Sequence, residues 1–335
     1  MKASVLELGN LIQGFKLCCQ TEGKSPKTIE WYTTFLYRFL VFLEFSNYPT
    51  DVAQINKEVI RAFIVYLQSE ARTPRSKKPL SPATVQGYVR TLKSFFSWVV
   101  REEYLPDSPT AKVPVPKAPQ KVINTFTHEQ IGKLAQACYR SNGNGYRNLT
   151  ILLLLLDSGI RVSELVNINL EDVNLAEGWL KIKIGKGGKE RTVPVGSVVQ
   201  KSLWKYINHF RPQPLTHKVT RLFLSDDGLP LTRSGIQQML RRCGKRAGIS
   251  GVRCSPHTFR HTFAKSYLIN GGDIFSLQKI LGHSSLASVR TYLNLFGSDI
   301  KKQHQKYSPA DNLVNEPAVL PFIKLIVSSN TLKNI

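Results

Sequence analysis

Nowhere in the 335 residues does a G-x-x-x-x-G-K-[ST] or a G-x-G-x-x-G stretch occur. The first absence removes the P-loop and any sign of ATP use, and the second removes the dinucleotide-binding fingerprint. Cysteine is scarce: there are five, an odd number, with no C-x-x-C pair. That pattern fits reduced thiols in a cytoplasm better than a disulfide framework or a zinc site. Acidic residues are also few, 23 Asp+Glu against 46 Lys+Arg. The 11 acids of residues 116–308 are spread out, and "DDG" (226–228) reads as a turn. The carboxylate cluster that a two-metal nuclease needs is therefore missing. The longest apolar run, "LTILLLLL" (149–156), stops at Asp157, well short of the ~20 residues of a membrane-spanning helix. "MKASVLELGNLIQ" has neither an apolar h-region nor a cleavage site, so no signal peptide is expected. The expectation is a cytoplasmic protein with no membrane partner.

What the chain has in excess is positive charge, a formal net +23, which favours a polyanionic partner such as nucleic acid. Residues 1–115 hold 15 Lys+Arg and 10 Asp+Glu, residues 116–308 hold 29 and 11, and residues 309–335 hold two of each. The partner's charge is thus met mostly by the second segment. At 42% hydrophobic residues the chain can bury cores, and its length suggests two domains. The first third reads as a four-helix unit. "SPKTIEWYTTFLYRFLVFLEF" opens with Ser25 as N-cap and Pro26 at the first helical position, followed by apolar residues at helical spacing. "SPATVQGYVRTLKSFFSWVVREEY" repeats the design from Ser81. A weaker helix covers about 56–70 and another precedes Lys24. "LPDSPTAKVPVPKAPQK" (105–121), with five prolines and no apolar periodicity, reads as a linker.

In the second segment Thr127 caps a helix. "NLTILLLLLDSGIRVSELVNI" reads as a buried helix, a turn at Ser158-Gly159 and a new helix. "WLKIKIGKGGKERTVPVG" alternates around Gly185–Gly188 and reads as a hairpin, with helices after it. Four stretches in this segment carry candidate chemistry. "DSGIRVSEL" (157–165) sets Arg161 at a helix start with Glu164 one turn on. Taken alone this reads as a surface ion pair worth about 0.2–0.5 kcal/mol; the sharper alternative is an arginine aimed into a cleft. "GKGGKER" (185–191) reads as a solvated basic turn, or as a lysine carried into a DNA groove. "SPHTFRH" (255–261) begins a capped helix whose His257 and Arg260 share a face near the positive helix end, where an anion is favoured. His257 and His261 have a metal-compatible spacing, but no Glu follows His257 and Arg260 would repel a cation. "LGHSSLASVRTY" (281–292) adds His283 after a glycine turn and Tyr292 nine residues later.

In order and spacing, "SGIRVSEL", "GKGGKER", "SPHTFRH" and "LGHSSLASVRTY" resemble the tyrosine recombinase (phage integrase) family, especially its Xer-like bacterial members. The resemblance implies a mainly α fold with a small antiparallel β-sheet. It divides the chain into a SAM-like four-helix core-binding domain (1–106), a linker (107–121), a catalytic tyrosine recombinase domain (122–308) and a C-terminal tail (309–335). It implies site-specific cutting and rejoining of double-stranded DNA through a 3′-phosphotyrosyl intermediate, with Tyr292 as nucleophile. Arg161, Arg260 and His283 would hold the non-bridging phosphate oxygens. Lys186, rather than Lys189, would protonate the leaving 5′-oxygen, and His257 would exchange a proton with Tyr292. Glu164 would orient Arg161, and His261 would pack structurally. Because the bond energy is kept in the tyrosyl ester, neither ATP, a cofactor nor a metal is implied. Implied partners are recombination sites, a homotetramer on two synapsed sites, and a paralogous recombinase or directionality factor, in a DNA-associated, nucleoid location.

Two departures stand out. The helical unit starts near residue 4, so an arm-binding domain like that of lambda-type integrases is not expected. The chain also runs past the "KYSP" stretch through an apolar segment, "VLPFIKLIV" (319–327), which could dock on a neighbouring copy. These features favour integration or excision of a mobile element slightly over Xer-type dimer resolution. The competing expectations are a catalytically inactive DNA-binding relative and a type IB topoisomerase-like activity.

Overall fold

Three of the helices start on a serine followed by a proline, and each serine caps its helix through its side chain. The computed structural model describes residues 6–74, 76–119, 123–139, 144–183, 190–283, 285, 286, 304 and 308. Within it the Oγ atoms of Ser25 and Ser81 each accept from the amide three residues on, at 3.2 Å. The proline supplies a preset φ where no amide donor is needed. The chain forms two units, residues 1–121 and 122–335.

The first unit holds α1 (Leu8–Thr21), α2 (Pro26–Phe45), α3 (Lys57–Ser69) and α4 (Pro82–Arg101). Their apolar faces meet in a core rich in rings, among them Phe15, Phe39, Phe63, Phe95 and Trp98. Phe35 and Tyr88 stack at 3.7 Å between centroids, where the neighbouring Gly87 leaves room for the Phe35 and Trp31 rings. The proline-rich stretch after α4 is not loose from its start. Val113 is buried in the same core, Lys93 Nζ donates to the Thr110 carbonyl at 2.8 Å, and Gln86 Nε2 to that of Pro116 at 2.7 Å.

The second unit opens with α5 (His128–Tyr139). Thr127 Oγ1 accepts from the Gln130 amide at 3.1 Å, and Gln130 Oε1 accepts from the Thr127 amide at 3.0 Å, a capping box. Then come α6 (Gly145–Ser158), the short α7 (Val162–Leu165), α8 (Ser197–Lys205) running into a π-turn at Tyr206–Phe210, α9 (Arg233–Arg246), α10 (Pro256–Ile269) and α11 (Ile274–Leu281). Between α7 and α8 lies a three-stranded antiparallel sheet, β1 (Val173–Asn174), β2 (Trp179–Ile182) and β3 (Arg191–Pro194). Ile182 pairs with Arg191 at the end of the β2–β3 hairpin, and Val173 with Leu180. The pattern is therefore the expected one: mainly helical, with a small antiparallel sheet. Two details differ from the sequence reading. The two-residue β1 is too short to carry a periodic signal. Residues 211–232, expected to be helical, contain none among the described residues. Pro212, Pro214 and Pro230 interrupt that stretch, and Gly228 turns it at φ +71°.

α6 runs through the middle of this unit with Ile151, Leu152, Leu154 and Leu155 fully buried, and α5, α8 and α10 pack on it. Its C-terminus and that of α11 lie side by side, and the candidate site is built there.

Candidate active site

Gly159 ends α6 in the left-handed conformation, φ +58°. A Cβ there would come within 2.3 Å of Phe263 on α10 and 2.9 Å of Leu281 on α11. Only glycine allows both the turn and this approach. The approach brings the Gly159 carbonyl to Arg260, whose Nη1 donates to it at 2.7 Å. Ser255 caps α10 as the sequence reading expects, its Oγ accepting from the Thr258 amide at 3.4 Å. Arg260, one turn further on, is 5% exposed. Its Nη2 donates to the Leu281 carbonyl at 2.8 Å and meets His283 Nε2 at 2.7 Å.

Arg161 follows the glycine turn as N-cap residue of α7. Its Nη1 lies 3.0 Å from Glu164 Oε1, and its amide donates to Glu164 Oε2 at 2.8 Å. The guanidinium also reaches the carbonyls of Leu281 at 3.4 Å and Gly282 at 3.5 Å, while the side chain stays 37% exposed. The surface reading of Glu164 is wrong. Its residue exposure is 3%, because a second arginine, Arg191, covers it. The Nη1 and Nη2 atoms of Arg191 grip the two carboxylate oxygens at 2.9 Å each, and its Nε donates to the Ile280 carbonyl at 2.9 Å. Burial pushes the Glu164 pKa up, but Arg191, the Arg161 amide and Arg161 more than reverse this, and the carboxyl is held below its ordinary range.

Three consecutive carbonyls at the end of α11, those of Ile280, Leu281 and Gly282, therefore accept from three arginines. A helix end leaves such carbonyls without intrahelical partners and carries partial negative charge, so it gathers cations. His283 stands at the focus. Burial first, then Arg260, Arg161 and Arg191, bring its pKa down to about 4, so it is neutral at pH 7. An arginine only donates, so Nε2 accepts from Arg260 and the ring proton sits on Nδ1. That Nδ1 is buried and has no hydrogen-bond partner among the described residues.

His257 stands exposed on the first turn of α10, three residues before Arg260. Partial desolvation, then Arg260, Arg161 and Arg253, lower its pKa. His261 faces partly inward, and burial, His257 and Arg260 lower its pKa too. Among the described residues no group of three His, Cys, Asp or Glu side chains could hold a metal ion. Arg161, Glu164, Arg260 and His283 thus lie in one bonded cluster, with His257 close enough to feel its charge. Lys186, Lys189 and Tyr292 lie outside the described residues. The base of the hairpin that carries Lys186 is described: Lys183 Nζ lies 2.6 Å from Glu171 Oε1 and from Asp172 Oδ1, and Lys181 Nζ lies 2.8 Å from Glu190 Oε2. Arg191 is the residue that the sequence reading passed over. It is the last letter of "GKGGKER", and the only hint there was an arginine opening a strand.

A cluster of guanidiniums around a neutral imidazole donor is suited to a phosphate whose oxygens gain charge during reaction. Two family models match the chain: the phage integrase family over residues 124–298, and the phage integrase N-terminal SAM-like domain over residues 11–105. Tyrosine recombinase XerD of Staphylococcus saprophyticus subsp. saprophyticus is 35% identical over 289 residues, which is 86% of this chain and 94% of the relative. XerD of Staphylococcus haemolyticus is 33% identical over the same shares. Among solved structures, XerH site-specific recombinase bound to a palindromic difH substrate, a post-cleavage complex, is similar in fold. It has a TM-score of 0.66 and 22% identity, covering 91% of this chain and 85% of that one.

Proposed function

The chain belongs to the phage integrase family, and on that premise we propose that it is a site-specific tyrosine recombinase that cuts and rejoins double-stranded DNA. Tyr292 attacks the scissile phosphorus, and the 5′-oxygen leaves with a proton from Lys186. The strand is then held as a 3′-phosphotyrosyl ester until a free 5′-hydroxyl displaces the tyrosine. Arg161, Arg260 and His283 hold the non-bridging oxygens, and His257 exchanges the tyrosine's proton. Glu164 orients Arg161.

The observation that carries this reading is the joint hold of Arg260 and Arg161 on the end of α11. It supports an oxyanion site in which cations and a neutral His283 are already set, so that little reorganisation opposes charge build-up. The helical unit of residues 1–106 is the second grip on the duplex. Residues 107–121 link it to the catalytic domain of residues 122–308, and the tail of residues 309–335 serves assembly. Two synapsed sites need four copies, each delivering one tyrosine, in a cytoplasmic, nucleoid-associated complex. Affinity comes largely from phosphate contacts to the basic second segment and falls with salt.

The test is Tyr292→Phe on a nicked suicide substrate, resolved on a denaturing gel. The variant is expected to bind DNA as the wild type does and to form no covalent adduct. An adduct that survives the substitution would move the chemistry to another tyrosine, such as Tyr267 or Tyr307. A wild-type chain that binds DNA and never forms an adduct would mark an inactive DNA-binding relative.

A further inference from the structure

Arg191 is the first residue of β3, five positions after Lys186, on the strand that returns from the lysine hairpin. Its side chain is 14% exposed. One guanidinium ties two other chain segments to its own strand. It grips Glu164 in a two-pronged fork, bonds the Ile280 carbonyl, and lies so close beneath Gly282 that a Cβ there would come within 2.9 Å of it. Each segment leads to a residue of the proposed chemistry. Glu164 leads to Arg161, the end of α11 leads to His283, and β3 leads back to the hairpin. Without Arg191, the buried Glu164 carboxylate would keep only the amide and Nη1 of Arg161.

We propose that Arg191 is a positioning residue for DNA cleavage. It keeps Glu164 ionised and oriented, so that the Arg161 guanidinium is presented at the end of α11 rather than drawn in to neutralise a buried carboxylate. It also fixes the Ile280–Gly282 turn, so that His283 stays against Arg260. A lysine cannot replace it fully, since a point charge cannot grip two carboxylate oxygens and a carbonyl at once. This inference rests on the recombinase reading.

The experiment uses the full chain with Arg191→Met, Arg191→Lys and the double variant Glu164→Gln/Arg191→Met. Adduct formation on the suicide substrate is followed in single turnover at saturating protein, from pH 5 to pH 9. DNA affinity and melting temperature are measured alongside. For Arg191→Met the expected result is a cleavage rate roughly tenfold to a hundredfold lower, with DNA affinity within about threefold of wild type, since no phosphate contact is removed. Glu164, buried and stripped of two charged donors, should then take up a proton at higher pH. The ratio of the variant's rate to that of the wild type should therefore fall as pH drops from 8 to 5, over and above the histidine titration both share, and the double variant should lose that extra fall. Arg191→Lys should restore the wild-type pH profile and only part of the rate. A merely structural ion pair would lower folded protein, DNA binding and cleavage together with no new pH limb, and that result would overturn the proposal. So would an Arg191→Lys chain that cleaves at the wild-type rate, a comparison that stands even where Arg191→Met does not fold. A wild type that forms no adduct sinks the recombinase reading and this inference with it. A cleaving wild type beside an unimpaired variant sinks the inference alone.

Discussion

The first unit's core is built around rings such as Phe15, Phe39, Phe63 and Trp98, and its only buried polar side chains among the described residues are Thr91 and Thr110. The second unit's core is mostly Leu, Ile and Val, and it buries Glu164, Asp172 and Arg260 as well. The first unit follows the simplest route to stability, removal of apolar area from water, worth about 25 cal/mol per Å². The second accepts a desolvation cost of several kcal/mol per buried ion, offset only where every donor and acceptor is matched. Glu164 and Arg260 are buried where the α6 and α11 ends meet, beside the exposed His257 and the partly exposed Arg161, whereas Asp172 is buried at the base of the hairpin against Lys183. The contrast teaches that both units bury an apolar core but only the second also buries charged side chains, which makes it the more fragile to loss of one charged partner.

The largest effect should come from the ring core. Phe63→Ala removes a fully buried ring that packs on Phe39 and Phe42. It is expected to destabilise the first unit by about 3–5 kcal/mol. Hydrogen exchange should accelerate across α1–α4 and leave α6, α10 and α11 protected. Equal loss of protection in both units would show that the two cores do not stand apart. Somewhat smaller is Arg260→Ala, expected to slow adduct formation by roughly a hundredfold to a thousandfold, about 2.7–4 kcal/mol. Exchange in α1–α4 should not change. A variant that cleaves within a few-fold of wild type would remove Arg260 from the oxyanion site.

The smallest effect concerns acid. All seven histidines lie in residues 122–335, and His257, His261 and His283 all have lowered pKa values, that of His283 about 4. Their folded forms resist protonation, whereas in the unfolded chain they take it up near 6.5. They therefore cost nothing above pH 6.5 and destabilise progressively as pH falls from there to about 4. In the first unit Glu22, held near 2 by Lys24, Cys18 and Arg101, stays ionised throughout that window. Exchange protection should thus weaken in the second unit first. If α1–α4 open at the higher pH, the histidines are not what sets acid sensitivity.

Local chemistry was legible in the chain. Ser25, Ser81, Ser255 and Thr127 cap their helices because a side-chain oxygen three residues from an orphan amide acts over a single turn. Gly159 ends α6, and the β2–β3 alternation marks a hairpin, for equally short-range reasons. The order and spacing of the four motifs pointed to the family and, through it, to Arg161, Arg260 and His283. The expectation that the chain is helical throughout after the hairpin failed at residues 211–232, where three prolines and the turn at Gly228 break the helix.

Only the tertiary structure decided how the charges are shared. Arg191 is 27 residues from Glu164 and 89 from Ile280, and Arg260 is 101 residues from the Gly159 carbonyl it bonds. No periodicity or spacing encodes such contacts, because they depend on two helices ending at the same place. Along the chain Arg161–Glu164 is an ordinary i, i+3 pair in water. The carboxylate becomes a buried anchor, and His283 a neutral donor, because folding removes water from them and surrounds them with guanidiniums. Sequence by itself determined which residues were available for phosphate chemistry; the fold determined the low-dielectric setting in which a few ångströms decide which of them are ionised, which are held, and which donor is left to use.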